Sequence, residues 1–242
     1  MLQVLSKEFN SFLNSLIAYM VIGVFLTAIG LLMWVFPETS VLEYGYADMD
    51  TLFSFGPYVF MFLIPAITMR SFAEEKKTGT MELLLTKPLS DWDIITGKFL
   101  AGFFLIMVAL VPTLIYYYSI YQLGNPVGDI DTPGVIGSYV GLVLLGGVFC
   151  SVGIFASSVT PNQIVAFIVA AFMSFFLFSG FNSIAALNIW TADPLLVKQL
   201  GILYHYEALS KGLIDSRDLI YFFSVIFLML SITKLIIGSR QW

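Results

Sequence analysis

The chain has 242 residues, of which 59% are hydrophobic and 11% charged, with a net charge of −5 and a mean hydropathy of +0.91. Soluble domains carry about 25% charged residues, so most of this surface must face lipid rather than water. One cysteine, Cys150, and one histidine, His205, exclude a disulfide framework and argue against a Cys/His metal site within one chain. The acidic residues gather in a few loops, and no nucleic-acid partner is expected.

The first predicted element is a short amphipathic helix. Leu2, Leu5, Phe9, Phe12 and Leu13 recur at helical spacing, with Gln3, Ser6, Lys7 and Asn10 on the other side. It suits a helix lying in the membrane interface. Crossing a hydrocarbon core about 30 Å thick takes about 20 apolar helical residues. Residues 16–36 supply the first crossing, closed by Pro37. This run is too long for a signal-peptide core and lacks a small-residue exit, so it reads as a retained span. Residues 51–69 and 99–123 supply the second and third. Residues 132–192 carry no charge but are too long for one crossing. Thr160-Pro161-Asn162-Gln163 breaks them into spans at 135–159 and 164–187, because Pro161 lacks an N–H and disfavours helix at Thr160. Residues 188–218 form a polar segment with short or re-entrant helices, and 219–237 are the sixth span. The expected fold is therefore all-α and integral to the membrane, in one domain. Gly141, Gly146, Gly147 and Gly153, with Ser151, Ser157 and Ser158, predict close packing around the fourth span.

Basic residues mark the cytoplasmic side. With both termini inside, that side holds Lys7, Arg70, Lys76, Lys77, Lys87, Lys98, Lys234 and Arg240, against Lys198, Lys211 and Arg217 outside. The loop at 70–98 holds ten charged residues between two apolar spans. The second span is expected to continue as helix through Phe72, Glu74 and Glu75, ending at Gly79, which tolerates the left-handed conformation cheaply. Thr80 can cap a new helix, with Glu82 complementing its dipole. Met81, Leu84 and Leu85 form its apolar face, and Pro88 ends it. Ser90-Asp91-Trp92-Asp93 resembles a capping box that opens the third span. The loop helix is about seven residues long, too short to stand alone in water, so it needs a surface.

The run Glu74-Glu75-Lys76-Lys77-Thr78-Gly79-Thr80-Met81-Glu82-Leu83-Leu84-Leu85-Thr86-Lys87-Pro88-Leu89-Ser90 resembles the signature loop of ABC-2 type permeases, the membrane subunits of ATP-driven exporters. The interfacial helix, six spans and polar segment before the last span extend the resemblance over nearly the whole chain. The resemblance implies that Glu74 and Glu75 lie on a gate helix and that residues 80–87 form a coupling helix held by an ATPase. Gly79, Thr80, Met81, Glu82, Leu84, Leu85, Lys87 and Pro88 are the implied contact set. It also implies a pair of ATPase subunits on the cytoplasmic side, a second permease subunit, and a bacterial inner membrane. Within the family, the aromatic-rich third span and the ending Gly238-Ser239-Arg240-Gln241-Trp242 resemble permeases of gliding-motility transporters.

No G-x-x-x-x-G-K-[ST] run is present; Gly97-Lys98 is followed by Phe99, and Trp92 occupies the earlier glycine position. ATP and magnesium are therefore expected in a partner chain, with no cofactor in this one. The middles of the spans lack ionisable residues, which argues against a proton relay and against an intramembrane enzyme. A mechanical role, relaying ATPase motion to an envelope machine, is a competing expectation. His205, between Tyr204 and Tyr206, reads as an interfacial anchor rather than a ligand. Tyr116, Tyr117 and Tyr118 read as an aromatic belt rather than a substrate path.

Overall fold

The computed structural model describes residues 1–81, 89–187 and 194–239, the side chains of Tyr44 and Pro194 excepted. Within them, six helical stretches are long and apolar enough to cross a membrane: Leu16–Trp34, Asp50–Thr78, Asp91–Leu123, Thr132–Val159, Gln163–Ala186 and Ser216–Gly238. The amphipathic helix forms as expected, as α1 (Leu2–Leu13). Ser15 then takes an extended backbone, and its hydroxyl accepts the Ile17 N–H at 3.3 Å. That cap starts α2 (Leu16–Trp34), the first span. A short α3 (Val41–Tyr44), not expected from the sequence, precedes α4 (Asp50–Thr68).

Span four, α8 (Thr132–Val159), is the centre of the bundle and is buried along most of its length. Spans two, three, five and six all pack against it. Its small residues allow this. A methyl group on Gly153 would overlap the Thr68 hydroxyl of α4, so the Thr68 side chain sits directly on the bare α8 backbone.

Three spans depart from straight helix. The second stops at Thr68, turns, and resumes as α5 (Ala73–Thr78) instead of running on unbroken. The reason is tertiary: the Phe72 N–H donates to the Ser157 hydroxyl of α8 at 3.1 Å, while the Thr68 carbonyl accepts from Ser71. The third span opens at the Ser90 capping box, as expected, and divides into α6 (Asp91–Leu110) and α7 (Thr113–Leu123), because Pro112 brings no N–H to the ladder. The fifth runs from α9 (Gln163–Phe175) through a π-helical turn (Phe176–Gly180) into α10 (Phe181–Ala186). Phe178 of that turn is buried, with ring centroids 5.7 Å from Tyr58, 6.1 Å from Tyr206 and 6.3 Å from Phe149. The break before α9 is as expected, with Asn162 Oδ1 accepting the N–H groups of Ile164 and Val165.

On the face opposite the N-terminus lie α11 (Pro194–Gln199) and α12 (Ile202–Ser210), followed by the last span, α13 (Ser216–Gly238). The Tyr206 hydroxyl donates to the Phe53 carbonyl at 2.7 Å, fastening α12 to the start of span two. Residues 188–193, the expected start of this segment, lie outside the described residues. The tyrosine belt is corrected. Tyr116 packs inward and donates to the Leu26 carbonyl at 3.1 Å, Tyr117 meets the Thr132 hydroxyl at 3.4 Å, and of the three only Tyr118 is exposed.

Candidate coupling site on the N-terminal face

Helix α1, the α5 extension and the start of α6 share one face with the end of the last span, where Gly238 lies beside Asp91. The capping box forms as the sequence predicts. Asp93 N–H donates to Ser90 Oγ at 3.2 Å, and Ser90 N–H returns to Asp93 Oδ2 at 3.3 Å. The Ser90 hydroxyl also donates to Asp93 Oδ2 at 2.6 Å, and the amino group of Met1 pairs with Asp93 Oδ1 at 3.2 Å.

Nearly two turns into α6, Gly97 leaves room for Val4 of α1 to pack directly on the helix. That approach brings Glu8, four residues after Val4, to Lys98. The Lys98 side chain is only 2% exposed. Its Nζ donates to the Ser71 carbonyl at 2.7 Å, Glu75 Oε1 at 2.9 Å and Glu8 Oε1 at 3.1 Å. The Phe72 ring centroid lies 5.1 Å away. Three donor hydrogens thus meet three acceptors from two chain segments, α1 and the 71–75 stretch. A buried charge is costly unless paired and hydrogen-bonded, and here it is both. Glu75 Oε2 is buried, and no hydrogen-bond partner meets it among the described residues.

The α5 extension also grips the end of span four. Lys76 Nζ donates to the Ser158 carbonyl. That carbonyl is among the last of α8, where helix acceptors lack intrahelical partners and the dipole favours a cation. Glu74 pairs with Arg70 at 3.1 Å on the outer side. Gly79 has φ of +72° and closes α5 as expected. Thr80 belongs to that closure: its N–H donates to the Glu75 carbonyl at 3.0 Å, and its hydroxyl meets Thr78 Oγ1 at 2.9 Å. Met81 is half-buried against the main core, so its side chain rests on this chain's own spans. Glu82, Leu84, Leu85, Lys87 and Pro88, the rest of the expected coupling set, lie outside the described residues. The chain returns at Leu89, packed on the same core.

Of the predicted set, then, the structure brings Glu75 into the buried cluster and leaves Glu74 on its rim. Sequence reasoning missed Lys98 as a hub, together with Glu8, Ser71 and Ser157. A signal existed for two of them. Lys98 is the one basic residue of α6, at the edge of the uncharged run 99–128, and Glu8 sits in the apolar stripe of α1, between Leu5 and Phe12. Among the described residues, no group of three or more His, Cys, Asp or Glu side chains is placed to hold a metal ion.

Six apolar spans, four of them packed on the small-residue span four, with a charged shelf on one face, define a multi-pass membrane protein. The sequence profile of the ABC-2 family transporter proteins matches residues 40–238. The chain belongs to that family and is of the permease type, the membrane subunit of an ABC transporter. Such permeases partner an ABC ATPase and a second permease subunit. The match begins after α1 and α2, so Glu8 lies outside it while Glu75 and Lys98 lie within. No curated protein matches the chain.

Proposed function

We propose that this permease works in a bacterial inner membrane with both termini in the cytoplasm, and that residues 70–98 seat a pair of ABC ATPase subunits. The excess of Lys and Arg on the N-terminal side supports the orientation. The coupling contacts are assigned to residues 80–87, with Glu74 and Glu75 on the gate helix above them. ATP and magnesium belong to the ATPase, and ATP-driven closure of that pair drives export. The third span and the C-terminal residues support a role in gliding motility.

The observation that carries this reading is the Lys98 cluster. Force applied to the loop enters at α5 on one side and at Ser90 on the other. Lys98 ties α5 to α6 and, through Glu8, to α1. Lys76 ties α5 to the end of α8, against which four spans pack. The N-terminal shelf therefore moves as one body, as rigid-body switching between two packings requires.

The test is Leu84→Asp in the assembled transporter. The variant is expected to insert and melt like the parent yet lose the co-purifying ATPase. ATPase recovered at parental yield would overturn the coupling assignment.

A further inference from the structure

His205 stands between two acceptors. Its Nδ1 lies 2.7 Å from Asp218 Oδ1 at the start of α13, and its Nε2 lies 2.9 Å from the Gln199 carbonyl at the end of α11. A neutral imidazole has one donor nitrogen and one acceptor nitrogen. A carbonyl accepts only, and so does a carboxylate. Both contacts are hydrogen bonds only when the His205–Asp218 pair holds one proton more than neutral histidine beside a carboxylate. Without it, the nitrogen facing one of the two oxygens presents a lone pair to a lone pair.

Two aromatic rings flank the imidazole. Tyr221 of α13 stacks on it at 3.9 Å, and Tyr204 of α12 meets it edge-on at 5.4 Å. The titratable groups facing His205 are thus Asp218 and Tyr221 from α13 and Tyr204 from its own helix, while α11 presents the carbonyl. The next carbonyl, Leu200, accepts the Tyr221 hydroxyl at 2.6 Å. Just beyond it, Gly201 packs against Phe181 at the start of α10, the end of span five. The junction between α11 and α12 is therefore strapped to the last span by two adjacent carbonyls and rests on the fifth.

We propose that His205 and Asp218 form a proton-operated latch, closed when the extra proton is bound, which fastens the α11 end to the last span and opens when that proton leaves. The α12 helix also lines a cleft of about 470 Å³ with Tyr58, Phe178 and Tyr206, so the latch acts on one wall of that cleft. The proposal needs only that this face meets water; it is independent of where the ATPase docks.

The test uses the full chain in lipid nanodiscs. His205 is the sole histidine, so one pair of imidazole ¹⁵N resonances reports its protonation without assignment. Amide exchange of residues 195–201 is followed in parallel across about pH 5 to 8, where imidazoles titrate, and corrected for intrinsic chemistry. Both ring nitrogens are expected to be protonated wherever the segment is protected. Corrected exchange should rise roughly tenfold as the second proton is lost. Asp218→Ala and His205→Gln should show the raised exchange at every pH, with unchanged exchange in α8 marking an intact bundle. A neutral ring beside an ionised Asp218 in the protected state, or corrected exchange flat through loss of the second proton, would overturn the latch.

Discussion

The two faces of this protein carry ion pairs of opposite design. On the N-terminal face, Lys98 matches three donors to three acceptors and needs nothing further to be complete. On the opposite face, His205 meets two acceptors with a ring that offers two donors only when cationic. The first is a fixed joint and the second a conditional one. The difference teaches where the molecule can afford to move. A hub that gathers α1, α5 and α6 suits a shelf that must transmit force, whereas a strap on short helices suits a segment that opens and closes.

The sharpest check on the comparison is whether these regions lie on opposite sides of a membrane at all. Cys150 is fully buried, so a membrane-impermeant maleimide has no native target. Lys77→Cys and Lys211→Cys place a thiol at an exposed position on each face. In intact cells only the 211 variant should label, and in inverted vesicles only the 77 variant. Labelling of both from one side would dissolve the contrast.

The next effect is energetic. Lys98→Met leaves Glu75 and Glu8 facing each other without their shared ammonium, and breaking such a buried pair costs about 3–5 kcal/mol. Thermal unfolding in detergent should show this loss, and adding Glu8→Gln and Glu75→Gln should recover much of it. A single variant as stable as the parent would mean that the joint is not fixed. The smallest effect tests the rod between the faces. Gly153→Val drives new methyl groups into Thr68, an overpacking worth about 1–3 kcal/mol. Thr68→Ala should relieve part of it; no relief would place the strain elsewhere in α8.

Much of the fold was legible because lipid imposes simple rules. Six apolar runs of crossing length, a proline-marked break at Pro161 and a capping box at Ser90 are local signals, and each appears where the sequence places it. So does the amphipathic α1. The 74–90 run and the six spans carried the family expectation, which the match over residues 40–238 bears out. All of these depend on neighbours in sequence or on a solvent boundary.

What tertiary structure alone decided lies at contacts between distant residues. Nothing local makes Ser157 take the Phe72 amide across 85 positions, yet that bond interrupts the second span. Glu8 and Lys98, 90 positions apart, become partners only because Gly97 admits Val4. His205 looked like an anchor among tyrosines until folding set a carboxylate and a carbonyl on its two nitrogens. Hydropathy and capping are properties of a segment, and they determined the spans. Hydrogen-bond matching in a buried site is a property of the packed assembly, and it decided which charges are joints.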